Sequence, residues 1–330
     1  MIRKTRYIVI MEVDAETNDE RTVKKEIRYS LGMALADRDF YNLHIMNVCH
    51  VKAKVKRNMK NKIKVRTVIV AIAKCENNYI REWVEHYRKL GVDSIIIGDN
   101  NDIDGERMYE VLSDYILDGF VTIKDYRGKK GQQQQFYTDM YREYNSSYDW
   151  FGFFDCDEFV CLRKHKSIQE FLSDHIYDPF NIIRLNWMCF GDNGLIRVKD
   201  GDYSLQSRFT TPMERDKRIN RIYVNHNSKT FMRGGLGPLD IYVHGNYTES
   251  CCNDIGEEIC NQWCTDTMSW EVAYIKHYNT KTIEEWMDKM KRGYPDRNWN
   301  NKAMLSVERF FMYNEKTEDK IKYITEHSNQ

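Results

Sequence analysis

From Thr67 onward the chain follows an alternation that few architectures accommodate: short apolar runs of strand length, each followed by an amphipathic helical stretch. "TVIVAIA" is a continuous apolar run, as expected of a strand buried on both faces. In "NNYIREWVEHYRKLG" Ile80, Trp83, Val84 and Tyr87 recur at helical spacing, and Gly91 supplies the stop. "VDSIIIGDN" is a second buried strand ending in polar residues. The helical "ERMYEVLSDYILDG" then leads to "FVTIKDY", and "QQQFYTDMYREYN" leads to "WFGFFD". Strands alternating with helices over about ninety residues predict a doubly wound α/β sheet, whose ligands bind beyond the carboxyl ends of the strands.

The flanks read differently. The first 55 residues predict strand, helix and strand, a small α+β unit over 1–60 set apart from a larger domain over 67–330. Between them, Lys52–Arg66 carries eight basic residues in fifteen. This is either a solvated linker or alternating edge strand, or a patch that touches phosphates or an anionic membrane surface. After Asp178, strand-like pieces dominate: "NIIRLNWMCF", "YSLQSRFT", "DIYVHGNY" and the late "SWEVAYIKHY". "TKTIEEWMDKMKRG" closes as a helix, with Thr282 and Glu285 spaced as a capping box and Gly293 terminating it.

Composition removes several function classes. Lys plus Arg and Asp plus Glu both total 50, so no global field draws the chain to nucleic acid or membrane. No stretch approaches the ~20 apolar residues of a membrane helix. The nine cysteines, with no secretion signal ahead of them, are expected to be reduced thiols in a cytoplasmic protein, with peripheral membrane contact through the basic run as the variant.

The chemistry concentrates at strand ends. "WFGFFDCDEFV" runs an aromatic strand straight into Asp155, Asp157 and Glu158. On a strand, residues two apart face one side, so Asp155 and Asp157 would repel unless a cation lies between them. That pattern predicts Mg²⁺ or Mn²⁺, hard cations that keep open positions for substrate phosphates; the bland alternative is an acidic surface turn. The first strand ends at "AKCEN", placing Lys74, Glu76 and Asn77 at the mouth, and the second at "GDNND", placing Asp99 and Asn100 there. These residues suit a nucleotide's ribose and base edge, although Asn77 or Asn78 serves equally as a helix cap. No Gly-rich phosphate loop is present. His277 and His244 each offer a nitrogen ligand beside the aspartates, or are structural. Cys251, Cys252, Cys260 and Cys264 lack paired zinc spacing and read as plain thiols.

Taken in order, "AKCENNYIREWVEHYRKLGVD", "IIIGDNND", "WFGFFDCDEFV", "NWMCFGDNG" and "KHYNTKTIEEWMDKMKRG" resemble the family-92 glycosyltransferases and their family-2-like bacterial relatives, over about Thr67 to Gly293. The resemblance implies a GT-A fold and a metal-dependent, inverting transfer from a nucleotide-sugar, a UDP-sugar by preference, to a glycan or glycolipid. It makes Asp155 and Asp157 the Asp-x-Asp that holds the metal against the donor diphosphate, with Glu158 in support and His277 the third ligand. Glu76 and Asp99 fall near the nucleoside, and Lys281 becomes a diphosphate contact. Asp192 in "FGDNG" is the candidate general base, with Asp240 and Glu249 as rivals and a turn-forming role as its alternative. Trp263, Trp270, Trp286 and Trp299 are either core or sugar platforms. The competing readings are a nucleotidyl- or phosphotransferase using the same aspartates, a glycan-binding scaffold with an inactive site, and a phage-type DNA glycosyltransferase.

Overall fold

The computed structural model describes residues 65–199, 201–293 and 305–328, all within one compact unit, Lys64–Gln330. The 1–60 unit, Cys49, Trp299 and all but Val65 and Arg66 of the basic run lie outside the described residues.

The alternation of the first half becomes four strands, β1 (Thr67–Ala73), β2 (Ser94–Asp99), β3 (Val121–Asp125) and β4 (Trp150–Phe153). Between them lie the helices α1 (Asn77–Lys89), α2 (Met108–Leu117) and α3 (Gln133–Tyr144). All of β1 and β4 is buried, as both-face burial requires. The second half adds β5 (Glu158–Leu162), β6 (Ile182–Cys189), β7 (Ser228–Arg233) and β8 (Ala273–His277). The order across the sheet is β3-β2-β1-β4-β7-β6-β8-β5. β1 to β4 run parallel, while β7 is antiparallel to both β4 and β6. The doubly wound mixed sheet predicted from the sequence is therefore what forms.

Helix α1 shows how the sheet aims the site. Its apolar stripe of Tyr79, Ile80, Trp83, Val84 and Tyr87 is buried, and Gly91 ends it at φ +82°. Trp83 Nε1 and Tyr87 Oη both donate to the carbonyl of Glu158, at 2.9 and 3.0 Å. Each buried bond contributes about 1 kcal/mol net, but losing either strands a polar atom in the core. Two aromatic side chains of α1 thus hold the backbone where β5 begins.

Behind the site, α4 (Ile283–Arg292) carries the expected capping box between Thr282 and Glu285 and ends at Gly293. It packs Trp286 against Phe310 of α5 (Val307–Tyr313), and α6 (Glu318–His327) follows.

Three local expectations fail for identifiable reasons. "YSLQSRFT" contains a short helix, Leu205–Arg208, because Ser204 caps it and the Glu82 carboxylate accepts from the Leu205 amide at 2.8 Å. "DIYVHGNY" forms a tight turn rather than a strand: Tyr242 and Gly245 bond to each other's backbone, and Gly245 sits at φ +96°. Asp155 and Asp157 lie in the turn between β4 and β5, not on a strand. The Asp155 amide donates to Glu158 Oε2 and the Glu158 amide to the Asp155 carbonyl, both at 3.0 Å, which curls the chain there.

Gly152 in β4 is demanded by packing, since a Cβ there would lie 2.5 Å from Phe154, 2.6 Å from Ile69 and 2.9 Å from Phe231. Gly152→Ala is expected to lower stability by about 1–3 kcal/mol in urea unfolding. An unchanged midpoint would show that these three side chains have room to move.

Candidate functional site

The turn divides the two aspartates between different partners. Asp155 Oδ2 meets Lys229 Nζ of β7 at 2.8 Å, and its Oδ1 accepts from Gln133 Nε2 at 2.8 Å and Tyr137 Oη at 3.2 Å. Lys229 is fully buried, and Glu158 Oε2 lies 3.6 Å away on its other side. Burying an ammonium costs several kcal/mol unless its charge is matched. Burial works to lower the Lys229 pKa, and Asp155 and Glu158 overcome it, leaving the lysine above its ordinary value. Burial also pushes the Glu158 carboxyl well up, so the closer Asp155 is the partner that matches the lysine charge.

Asp157 faces the other way. Its Oδ1 lies 3.7 Å from His277 Nε2, and its Oδ2 lies 3.7 Å from Lys289 Nζ. Burial would raise its pKa, but His277, Lys289, Lys281 and Lys229 together hold it well below the carboxylate range. His277, at the end of β8, is pushed down to about 4 by burial, so its ring is neutral at neutral pH. Its Nε2 stands 4.0 Å from Glu158 Oε1, a buried oxygen without a hydrogen-bond partner among the described residues.

A third corner forms where β1 ends. Glu76 receives Arg292 Nη1 at 2.8 Å and Lys281 Nζ at 3.4 Å, and Arg292 also donates to the Lys74 carbonyl. The Lys281 ammonium lies 3.6 Å above the Tyr79 ring, whose hydroxyl donates to Glu285 at 2.7 Å. Cys75, which precedes Glu76 in the chain, and Lys281, whose ammonium reaches it, both sit at φ 55°. A non-glycine residue pays on the order of 1–3 kcal/mol for such a conformation, which the surrounding bonds must offset. Lys281, Lys289 and Arg292 thus present three cations from one helix and its leading loop, facing Glu76 and Asp157.

Other expected residues have different company. Lys74 bonds to Asp102 at 2.8 Å on the outer edge. Asp99 accepts from Arg127 at 3.0 Å and from the side chain and amide of Asn101, and Arg127 also binds four carbonyls of the 102–106 loop. Asp192 is buried, with Lys320 Nζ of α6 at 2.5 Å and the Gly194 amide at 2.9 Å on its carboxylate. The Gly194 contact closes a turn, and the ion pair ties that turn to the C-terminal helix. Of the rivals, Asp240 pairs with Arg142 at the surface and Glu249 accepts from Asn181. The eight described cysteines are free. His244 lies between Trp187 and Trp263, with its Nδ1 bonded to the Ser228 carbonyl.

Sequence reading missed Lys229, Lys289, Arg292, Gln133 and Tyr137. Lys289 was recoverable, since it lies one turn beyond Glu285 on the same face of α4. Lys229 gave only the faint signal of a lysine inside the apolar run "SKTFM".

Among the described residues, no group of three or more His, Cys, Asp or Glu side chains is arranged to hold an ion. Asp157 and His277 do face each other beside the unpartnered Glu158 oxygen, whereas Asp155 is committed to Lys229. Two protein ligands suit Mg²⁺ or Mn²⁺ when phosphates and water complete the shell.

Polar and charged groups gathered at the strand ends of a doubly wound sheet mark where enzymes of this architecture bind their ligands. The sequence profile of glycosyltransferase family 92 matches residues 66–306, and the chain belongs to that family. It is 33% identical over 99 residues to a family-92 protein of Ricinus communis, a stretch covering 30% of this chain and 16% of that one. It is 30% identical over 123 residues to a family-92 protein of Oryza sativa subsp. japonica, covering 36% and 20%. The chain therefore aligns with a fifth or less of the length of these curated relatives. Among solved structures it is similar to S. aureus TarS (TM-score 0.37, 11% identity, 76% of this chain and 44% of that one). It is also similar to TarS 1–349 in complex with UDP-GlcNAc (TM-score 0.36, 12% identity, 79% of each). No helix among the described residues is long and apolar enough to cross a membrane.

Removing one partner of a buried ion pair strands the other charge. Asp192→Asn is therefore expected to lower stability by about 3 kcal/mol while leaving nucleotide affinity unchanged. Full stability with transfer abolished would instead make Asp192 the general base.

Proposed function

We propose that this chain transfers a sugar from a UDP-sugar to a carbohydrate acceptor, with inversion and with Mn²⁺ or Mg²⁺ bound. The observation that carries the reading is the convergence of Lys281, Lys289 and Arg292 on Glu76 and Asp157, in a chain of glycosyltransferase family 92. Three cations on one helix and its leading loop suit the charge of a diphosphate, and Arg292 adds the fork geometry that phosphate oxygens favour. Glu76, Lys74 and Asp99 border the mouth assigned to the nucleoside.

In the transfer, the acceptor hydroxyl oxygen bonds to the anomeric carbon as the bond from that carbon to the diphosphate oxygen breaks. The electron pair leaves on the diphosphate, and the hydroxyl proton passes to a base. The cations on α4 and its leading loop are positioned to stabilise charge that grows on the leaving group, where preorganised charges act most strongly. Asp157 and His277 are the residues we assign to the divalent ion, which when bound supplies Lewis-acid neutralisation of the same charge. Asp155 serves through Lys229, anchoring the turn that presents Asp157. Taking the proton on Asp192 would require breaking its bond to Lys320, so we assign Asp192 to holding the C-terminal helices instead. Contact of Lys52–Arg66 with an anionic surface is a further proposal, resting on the charge of that run alone.

Calorimetric titration of UDP, GDP and CDP, with and without Mn²⁺, tests the reading. UDP is expected to bind with a requirement for Mn²⁺ and to weaken at least ~30-fold in Asp157→Ala. Lys289→Ala is expected to cost about tenfold, the scale of one charge-assisted hydrogen bond. If folded wild-type protein binds none of the three nucleotides, the donor site is wrong and the inactive scaffold becomes the better reading.

A further inference from the structure

A line of aromatic rings leads away from His277 to the surface. The His277 ring lies 4.1 Å from Trp187, centroid to centroid; Trp187 lies 5.6 Å from His244, and His244 lies 6.2 Å from Trp263. Of the described tryptophans named from the sequence, Trp286 is core and Trp270 is partly buried against the core, with its Nε1 donating to the Trp187 carbonyl. Trp263 is 42% exposed, although an indole left in water forfeits much of its burial energy.

The line is built rigidly onto the site. The Trp263 carbonyl accepts from the Ser228 amide at 3.0 Å, one residue before Lys229, and the His244 ring bonds through Nδ1 to the Ser228 carbonyl at 2.8 Å. A carbonyl can only accept, so Nδ1 carries the proton and His244 Nε2 is left as an acceptor. Buried Arg184 of β6 donates to the His244 carbonyl at 3.1 Å and to Asn261 at 2.7 Å, two residues before Trp263. The strand that sends Lys229 to Asp155 therefore also fixes the outer ring. Trp187 Nε1 is a buried donor without a hydrogen-bond partner among the described residues.

We propose that Trp187, His244 and Trp263 form the acceptor subsite, with Trp263 seating the apolar face of a pyranose. This rests on the glycosyltransferase reading and adds to it the class of acceptor. Flat rings beside the free acceptor nitrogen of His244 suit sugars, which present C–H faces and hydroxyl edges together. The cations beside this line, Lys229 and Arg184, are buried and already engaged, Lys229 by Asp155 and Arg184 by Asn261, so they are not offered to an anionic lipid headgroup or a phosphate. Trp263 is the exposed outer end of the line and His277 its buried inner end. The acceptor in this proposal is an oligosaccharide whose terminal residue reaches Asp157 and His277 while an inner residue rests on Trp263.

The test uses the full chain, fluorescently labelled, on a printed glycan array carrying mono- and oligosaccharides, with UDP and Mn²⁺ present. Wild type is expected to be retained on a subset of oligosaccharides and on no monosaccharide. Trp263→Ala should lose about tenfold of that signal, the upper end of what one aromatic platform contributes, and Trp263→Phe should keep at least a third of it. UDP affinity, measured by calorimetry, should be the same in all three proteins. Undiminished retention of Trp263→Ala overturns the subsite, as does a wild type that binds UDP but no glycan. Loss of UDP binding in wild type points instead to failure of the donor reading.

Discussion

The arrangement depends on one buried cation. Lys229 enters a fully enclosed position, where an unmatched ammonium would be prohibitive, and among the described residues Asp155, 2.8 Å away, is the carboxylate that matches it. That requirement constrains strand register. Phe153 pairs with Thr230 across β4 and β7, which sets Lys229 just past the end of β4, where the chain turns through Asp155. A slip of one residue would send the lysine to the opposite face of the sheet and leave Asp155 without its counter-charge. The pair is thus a specificity device as much as a stabilising one: it selects the register in which Asp157 emerges toward His277.

The same economy of position recurs on the opposite wall. Helix α4 has its start defined by the Thr282–Glu285 capping box, and Glu285 is held in turn by Arg208 at 2.8 Å and by Tyr79. With its first turn locked, the helix delivers Lys289 and Arg292 at fixed heights above Asp157 and Glu76. Cys75 and Lys281 hold their left-handed conformations against a local cost, the first next to Glu76 in the chain and the second in contact with its carboxylate. Strain kept at a cluster of charges, and offset by bonds around it, is the pattern expected where a binding surface is preorganised.

Much of this was legible from residues alone, and what was legible shares one property. Runs such as "TVIVAIA", the stripe Ile80–Trp83–Val84–Tyr87 and the Thr282–Glu285 box are local patterns whose meaning does not depend on distant chain. The misreadings were equally consistent. "YSLQSRFT" looked like a strand until Glu82, more than a hundred residues away, capped its amides. The Asp-x-Asp pair looked like two ligands on one face, because nothing in "DCDE" discloses that Glu158 closes the turn and that Lys229 claims Asp155. Asp192 read equally as base or turn former, and nothing in "FGDNG" announces the ion pair that Lys320 brings from α6.

By itself, then, the sequence determined the alternation of strands and helices, the sheet edge where charge would gather, and the membership of family 92 that its ordered motifs carry. Periodicity and capping act within one or two turns of chain, so they can be read without coordinates. The tertiary structure alone decided which charges neutralise which, that Asp155 and Asp157 part company, and that among the described tryptophans Trp263 stands exposed at the end of a line of rings. Those outcomes follow from burial and from pairings across long stretches of chain. In a low-dielectric interior, a charge's role is set by whichever partner the fold brings within about 4 Å, and no local pattern records that partner.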